Sequence, residues 1–262
     1  MQTTIQNPIY GLDVSQFQGS INWQDVKSSG KEFVLIRAAY SNMLTDPEFE
    51  NNYMGAKKAG LKVGAWHFVV PTGNAIQQAQ YFAHLIKGKD WDYLPCIDIE
   101  TNPNSGQSAT AWLNAYADEL HSILGIYPGL YSNPAYLARE GIQKSNLYSV
   151  PYLWIADWNS GTVPNIAGFD VWNIHQFSCT GHVNGISGNV CMDMLDGDLE
   201  SSVLWLSQQS TPSTPSIPST QPTQASLTVE DVQKLINSAL TPELKKTLQG
   251  LASAFQKYAD GL

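Results

Sequence analysis

Read for its apolar and polar positions, the first two hundred residues fall into repeating pairs of segments. A short, nearly continuous apolar run is followed by a stretch whose apolar residues recur every three or four positions. The pairs are IYGLDVS with WQDVKSSG, FVLIRAAY with DPEFENNYMGAKKAG, LKVGAWHFVV with NAIQQAQYFAHLIKG, and YLPCIDIE with SATAWLNAYADELHSILG. In the last of these Trp112, Tyr116, Leu120 and Leu124 mark one apolar helix face. The strand-like runs do not alternate, the signature of parallel strands covered on both sides. Repeated strand and helix predicts an α/β fold. Seven or eight strands in about 200 residues predict a compact, TIM-like barrel rather than an open sheet. The later runs YPGLYSN, PYLWIADW, FDVWNIHQF and NVCMDM carry few helical partners, so loops must join them.

The pattern ends at SQQSTPSTPSIPSTQPTQAS, a segment of Ser, Thr, Pro and Gln without charge that cannot bury a core. The chain therefore divides into a barrel over residues 1–206, a linker over 207–226 and a tail over 227–262. The tail reads as a helical hairpin. Thr228 and Asp231 have capping spacing, Pro242 opens a second helix, and Leu244, Leu248, Leu251, Phe255 and Tyr258 form an apolar stripe. The stripe is expected to be buried in homo-oligomerisation through 227–262 or against the barrel, with wall binding as the rival.

In a parallel α/β barrel, reacting groups collect where strands give way to loops. Asp13, His67, Asp98, Glu100, Asn133, Asp157 and Gln176 stand at such points. Asp98 and Glu100 are most telling, because they close the apolar run LPCIDIE, residues 94–100, and carboxylates are rarely buried unless paired or working. Two residues apart on a strand, they share a face about 6.6 to 7 Å apart at Cα. Each perturbs the other, so one is held protonated while the other ionises, the arrangement glycoside cleavage uses. A structural ion pair or a Mg or Ca site is the alternative; His67, His84, His121, His175 and His182 show no paired spacing, and no metal or other cofactor is expected. Among the strand-end aromatics Tyr40, Trp66, Phe68, Tyr131, Trp154, Trp158, Trp172 and Phe177, core packing accounts for more than half, and Trp66, Trp154 and Trp158 are the first choices for a sugar-binding cleft.

A net charge of −9 has the wrong sign for a nucleic-acid partner and does not favour an anionic membrane. No run reaches 18 uncharged apolar residues, and MQTTIQNPIYGLDVS does not read as a signal peptide. Three cysteines are too few for a disulfide framework. Buried free thiols are the plain reading, with a Cys179–Cys191 pair across a short Gly-rich loop as the alternative.

Ordered motifs across about residues 8–206 carry a resemblance: GLDVSQFQGSINW, FVLIRAAY, DPEFENNYMGAKKAGLKVGAWHF, IDIE, GLYSN, LWIADW and WNIHQFSCTGHVNGISGNV. Together they resemble glycoside hydrolase family 25 lysozymes, common among phage endolysins and bacterial autolysins. The resemblance implies a barrel of (β/α)5(β)3 type, with fewer helices than strands. It also implies an N-acetylmuramidase that cuts the β-1,4 bond after N-acetylmuramic acid in bacterial peptidoglycan with net retention. By position, Glu100 looks like the general acid and base. Asp98 looks like the partner that steadies a cyclic cation formed by the substrate's own 2-acetamido oxygen. Asp13, in the DxSxxQ motif, should lie in the floor of the site, unless it merely caps its loop. Tyr40, Trp66, Tyr131, Trp154, Asp157, Trp158 and Gln176 are the expected substrate contacts. Where the family's last strand often carries an acid just after Val190, this chain has Cys191, and period 2 places Asp193 on the same face; Asp196 and Asp198 are weaker alternatives. Chitinase-type barrels carry acids where this chain has Cys96 and Tyr93, which counts against that class. Without a readable export signal, the expected route is residence in a host cytoplasm until release through a phage-encoded membrane pore, then action on the cell wall.

Overall fold

The computed structural model of the chain describes residues 5, 7–41, 44–158 and 166–205; the expected linker over 207–226 and the helical hairpin expected over 227–262 lie outside these residues. Eight strands close into a barrel. Seven run parallel in the spatial order β1 (Pro8–Val14), β2 (Phe33–Tyr40), β4 (Lys62–Phe68), β5 (Cys96–Asp98), β6 (Gly129–Ser132), β7 (Leu153–Ala156) and β8 (Ile174–Gly181). The eighth, β9 (Val190–Asp196), fits between β8 and β1 antiparallel to both and completes the ring. A two-residue strand, β3 (Leu44–Thr45), folds back on the end of β2.

Helices follow the first five barrel strands: α1 (Trp23–Ser28), α2 (Phe49–Lys58), α3 (Ala75–Ile86), α4 (Ala109–Leu124) and α5 (Pro134–Arg139). Among the described residues no helix joins the last three strands, so the layout is the expected (β/α)5(β)3. A short α6 (Glu200–Val203) passes beneath the barrel. Local chemistry explains the starts: Asn22, Asn74, Ser108 and Asn133 each accept a backbone N–H at a helix N-terminus. Helix α5 was absent from the apolar pattern because it spans only six residues, yet Asn133 and Pro134 are an N-cap followed by proline at the first helical position.

Alternation along the strands divides the core in two. Phe33, Leu35, Trp66, Cys96, Tyr131, Trp154, Ile174 and Leu195 fill the barrel interior. Leu12, Val34, Ile36, Val63, Ile97, Leu130 and Ile155 face outward onto the helices. Each strand is thus apolar on both faces, which is why the runs lacked alternation. At the lower end of the barrel interior, glycine makes room for rings: a Cβ on Gly11 would lie 2.5 Å from the Phe33 ring, and one on Gly129 would lie 2.2 Å from Tyr152.

The free-thiol reading holds only for Cys96, which is buried and unpaired. Cys179 and Cys191 form a disulfide between β8 and β9. Adjacent antiparallel strands bring the two sulfurs together, a proximity that a gap of 12 in sequence does not reveal.

Candidate active site

Glu100 lies two residues past Cys96–Asp98, and the register places Asp98 between Phe68 of β4 and Tyr131 of β6. Asp98 points into the barrel and is 3% exposed, whereas Glu100 reaches the open mouth. Burial raises the Asp98 carboxyl well above the usual carboxylate range, and the neighbouring Glu100 charge raises it further. Glu100 is raised as well, because the walls of the mouth strip water from it, while the polar groups of Asp98 and Tyr131 beside it pull it back. Burial acts on both acids and more strongly on the deeper Asp98, which favours Asp98 as the protonated partner. The two acids differ in depth, which their spacing along the strand did not reveal.

Across the barrel, Asp13 on β1 accepts a 2.7 Å hydrogen bond from Gln176 Nε2 on β8. Burial raises its pKa to about 6, against the pull of Gln176. Asp193 is fully buried on β9, opposite Gly11 on one side and Gln176 on the other. Trp154 Nε1 donates to its Oδ1 at 2.8 Å, and its carboxyl faces that of Asp13. Burial first, then the charge of Asp13, pushes Asp193 well above the usual range. The inward face expected for Asp193 is observed. Asp196 and Asp198 are at the opposite end of the barrel, where Asp196 caps the turn Gly197–Leu199 and accepts the Asp198 N–H.

Gln176 joins much of this. Its Oε1 accepts from Tyr131 Oη at 3.0 Å and from Trp158 Nε1 at 3.1 Å while its amide holds Asp13. Sequence placed it among substrate contacts; with 3% exposure and these partners, it orders other side chains. Trp158, 57% exposed, stands at the rim, and with Glu100, Tyr131, Asn133 and Asp157 it lines a pocket of about 400 Å³. The Asp157 backbone is fixed there by bonds to the Gln176 carbonyl and from His175 Nε2.

Two expected contacts, Trp154 and Trp66, take other places. Trp154 is 1% exposed beneath the floor, and Trp66 is largely covered, donating its N–H to the Leu35 carbonyl. Both alternate into the barrel as expected, but below the layer that meets solvent. His67 alternates outward, where Tyr116 Oη donates to its Nδ1 and its Nε2 donates to the Ser41 carbonyl; burial lowers its pKa to about 4. It is a neutral structural imidazole. Tyr40 is 41% exposed and stacks on Phe68 at the rim, with 5.1 Å between ring centroids.

One group was not anticipated. Arg37 on β2 pairs through Nε with Asp46 at 2.7 Å, both buried, and its charge lowers the pKa of Asp13 and of Asp98. A lone cation inside the apolar run FVLIRAAY was the signal. Among the described residues, no group of three or more His, Cys, Asp and Glu side chains could hold a metal ion.

Acids of unequal exposure, held above their usual pKa beneath a rim of aromatic faces, are what cleavage of a glycosidic bond requires, and this end of the barrel defines a glycoside hydrolase. The family model for glycosyl hydrolases family 25 matches residues 12–186, and the chain belongs to that family. Lysozyme M1 of Streptomyces globisporus is 33% identical over 204 residues, covering 72% of this chain and 68% of that protein. An N,O-diacetylmuramidase of Chalaropsis sp. is 30% identical over 204 residues, 70% of this chain and 95% of that one. The structure of a bacterial lysozyme from Streptomyces coelicolor superposes with a TM-score of 0.68 at 31% identity, over 76% of this chain and 98% of the other.

Proposed function

We propose that the chain is an N-acetylmuramidase that hydrolyses the β-1,4 bond between N-acetylmuramic acid and N-acetylglucosamine in peptidoglycan. The observation that carries this is the Asp98–Glu100 pair: two acids on one strand end that raise or restrain each other's pKa, one buried and one facing the mouth. Family membership and relatives named as lysozyme and muramidase supply the substrate class.

In this reading the substrate's 2-acetamido group enters beside Asp98, and its N–H takes the place of the proton that Asp98 had shared. That proton passes to Glu100, which delivers it to the departing glycosidic oxygen. The acetamido oxygen attacks the anomeric carbon from the opposite face, and Asp98, now ionised, steadies the cyclic cation. Glu100, left as a carboxylate, deprotonates the incoming water, which opens the ring with net retention. Asp13 and Asp193 set the local potential, and Gln176 holds Asp13 in place.

Glu100→Gln should bind purified wall and fail to clear it; clearing at the wild-type rate would defeat the mechanism. Mass spectrometry of released muropeptides should find muramic acid at the new reducing ends. N-acetylglucosamine there would point to a different hexosaminidase, and no release to a binding barrel.

The finer reading is a phage endolysin that acts on the wall at host lysis. A Cys179–Cys191 disulfide suits an oxidising site of action, which such an enzyme reaches on leaving the cytoplasm. Lysis from within on co-expression with a membrane pore, and none without it, is the expected result.

A further inference from the structure

Phe17 is the most exposed large apolar side chain among the described residues, at 76%. It lies in the turn Gln16–Gln18, just past the strand that carries Asp13 and at the reactive end of the barrel. Solitary exposed phenylalanines are ordinary, but this one is held in place. Ser15 and Gln18 bond each other's backbone in a capping box, and Gln18 Nε2 reaches the Asn189 carbonyl. The Gln16 N–H donates to Asp46 Oδ2, the same oxygen that binds Arg37 Nε. The Arg37 guanidinium lies 5.1 Å from the Phe17 ring centre and 5.7 Å from that of Trp66. A buried ion pair thus backs one face of the ring and leaves most of it to solvent.

Arg37 stands inside the barrel on β2, next to the strand that carries Asp13, and its charge acts on Asp13 and Asp98, so the ring's cationic backing belongs to the same end of the barrel as the carboxyl groups. On the far wall, Trp158 is exposed beside Glu100. From these positions we infer that Phe17 is a preorganised stacking platform for a saccharide ring, a glycan subsite across the mouth from Trp158. The inference rests on the peptidoglycan reading. A glycan strand crossing the mouth has sugars on both sides of the bond being cut, and the Phe17 wall takes one of them. Flat apolar faces of pyranose rings pack on exposed aromatics, and a ring fixed before binding loses little freedom when it is covered.

The experiment is steady-state hydrolysis of solubilised peptidoglycan by the full chain carrying Phe17→Ala, Phe17→Leu or Phe17→Trp, with glycan freed of stem peptides as second substrate. Alanine should raise KM about 3- to 10-fold with kcat within about twofold, on both substrates, and tryptophan should restore the wild-type value. Melting temperatures should stay at the wild-type value, since the ring is mostly exposed. Unchanged KM for alanine would overturn the subsite, as would full restoration by leucine, which has bulk but no flat face. An effect confined to glycan with stem peptides would assign Phe17 to the peptide and overturn it too. If the wild type itself releases no muramic acid reducing ends, the functional reading fails rather than the subsite.

Discussion

Replacing Asp13 with asparagine should stabilise the protein while disabling it, and only above a certain pH. Folding moves the Asp13 carboxyl from 3.8 to about 6, chiefly through burial. At about 1.4 kcal/mol per pH unit, ionised Asp13 costs the fold about 3 kcal/mol. Because the folded value is the higher one, stability is fully present below about pH 3.8, where the group is protonated in both states, and is lost as the pH rises through about 6. Asparagine cannot ionise, and its side-chain oxygen still accepts from Gln176. Urea unfolding should find Asp13→Asn within about 1 kcal/mol of wild type at pH 3.5 and more stable by about 2 to 3 kcal/mol at pH 7.5. Wall-clearing activity should fall at least about tenfold, as expected when a charge shaping the site is removed. A stability difference of equal size at all pH values, or a variant less stable at pH 7.5, would refute the assignment.

Three further substitutions test the surrounding architecture. Arg37→Met leaves Asp46, whose side chain is fully buried, without its cation, and should cost about 3 to 5 kcal/mol, or about 10 °C in melting temperature; adding Asp46→Asn should recover part of the loss. Gln176→Leu removes a bond that lowers the Asp13 pKa and the acceptor for Tyr131 and Trp158. The acid limb of the pH profile for kcat/KM should therefore move to higher pH, and an unmoved limb would show that Gln176 does not govern Asp13. Reducing the Cys179–Cys191 bridge reopens a loop with a sequence separation of 12 and should lower stability by about 3 kcal/mol; the Cys179→Ser/Cys191→Ser variant should match the reduced protein and ignore reductant.

The strand ends, the α/β barrel and the shared face of Asp98 and Glu100 were legible because each depends on short-range periodicity, whereas Asp13 was placed by the family resemblance. Period 2 put Asp98 with Glu100, and Asp193 with Cys191, before any contact was known. Depth was not legible. Trp66, Trp154 and Trp158 look alike in sequence, yet only Trp158 lies beyond the end of its strand and meets solvent. Nor does a string of residues show which side of β4 faces the helices, so His67 looked like a site residue when its neighbours are Tyr116 and Ser41. The Cys179–Cys191 bond and the Arg37–Asp46 pair are contacts between elements, set by how strands and loops meet. Phe17 was hidden for a simpler reason: a single aromatic in a turn has no periodicity, and only its exposure and its backing by Arg37 distinguish it.

The reversed direction of β9 gives the disulfide a second meaning. Along the parallel strands, each step forward in sequence climbs toward the mouth; along β9 it descends. Moving an acid from 191 to 193 therefore lowers it about 7 Å into the barrel, beneath Asp13 rather than beside it. The β8–β9 ladder is irregular at two places, between Gln176 and Ser178 and between Ser178 and Gly181, so beyond Gln176 its alignment is not carried by continuous pairing. A slip of one residue would turn Asp193 outward and bring Met192 or Met194 under the site. The cross-link between Cys179 and Cys191 admits one alignment, and so selects which face of the last strand the barrel sees.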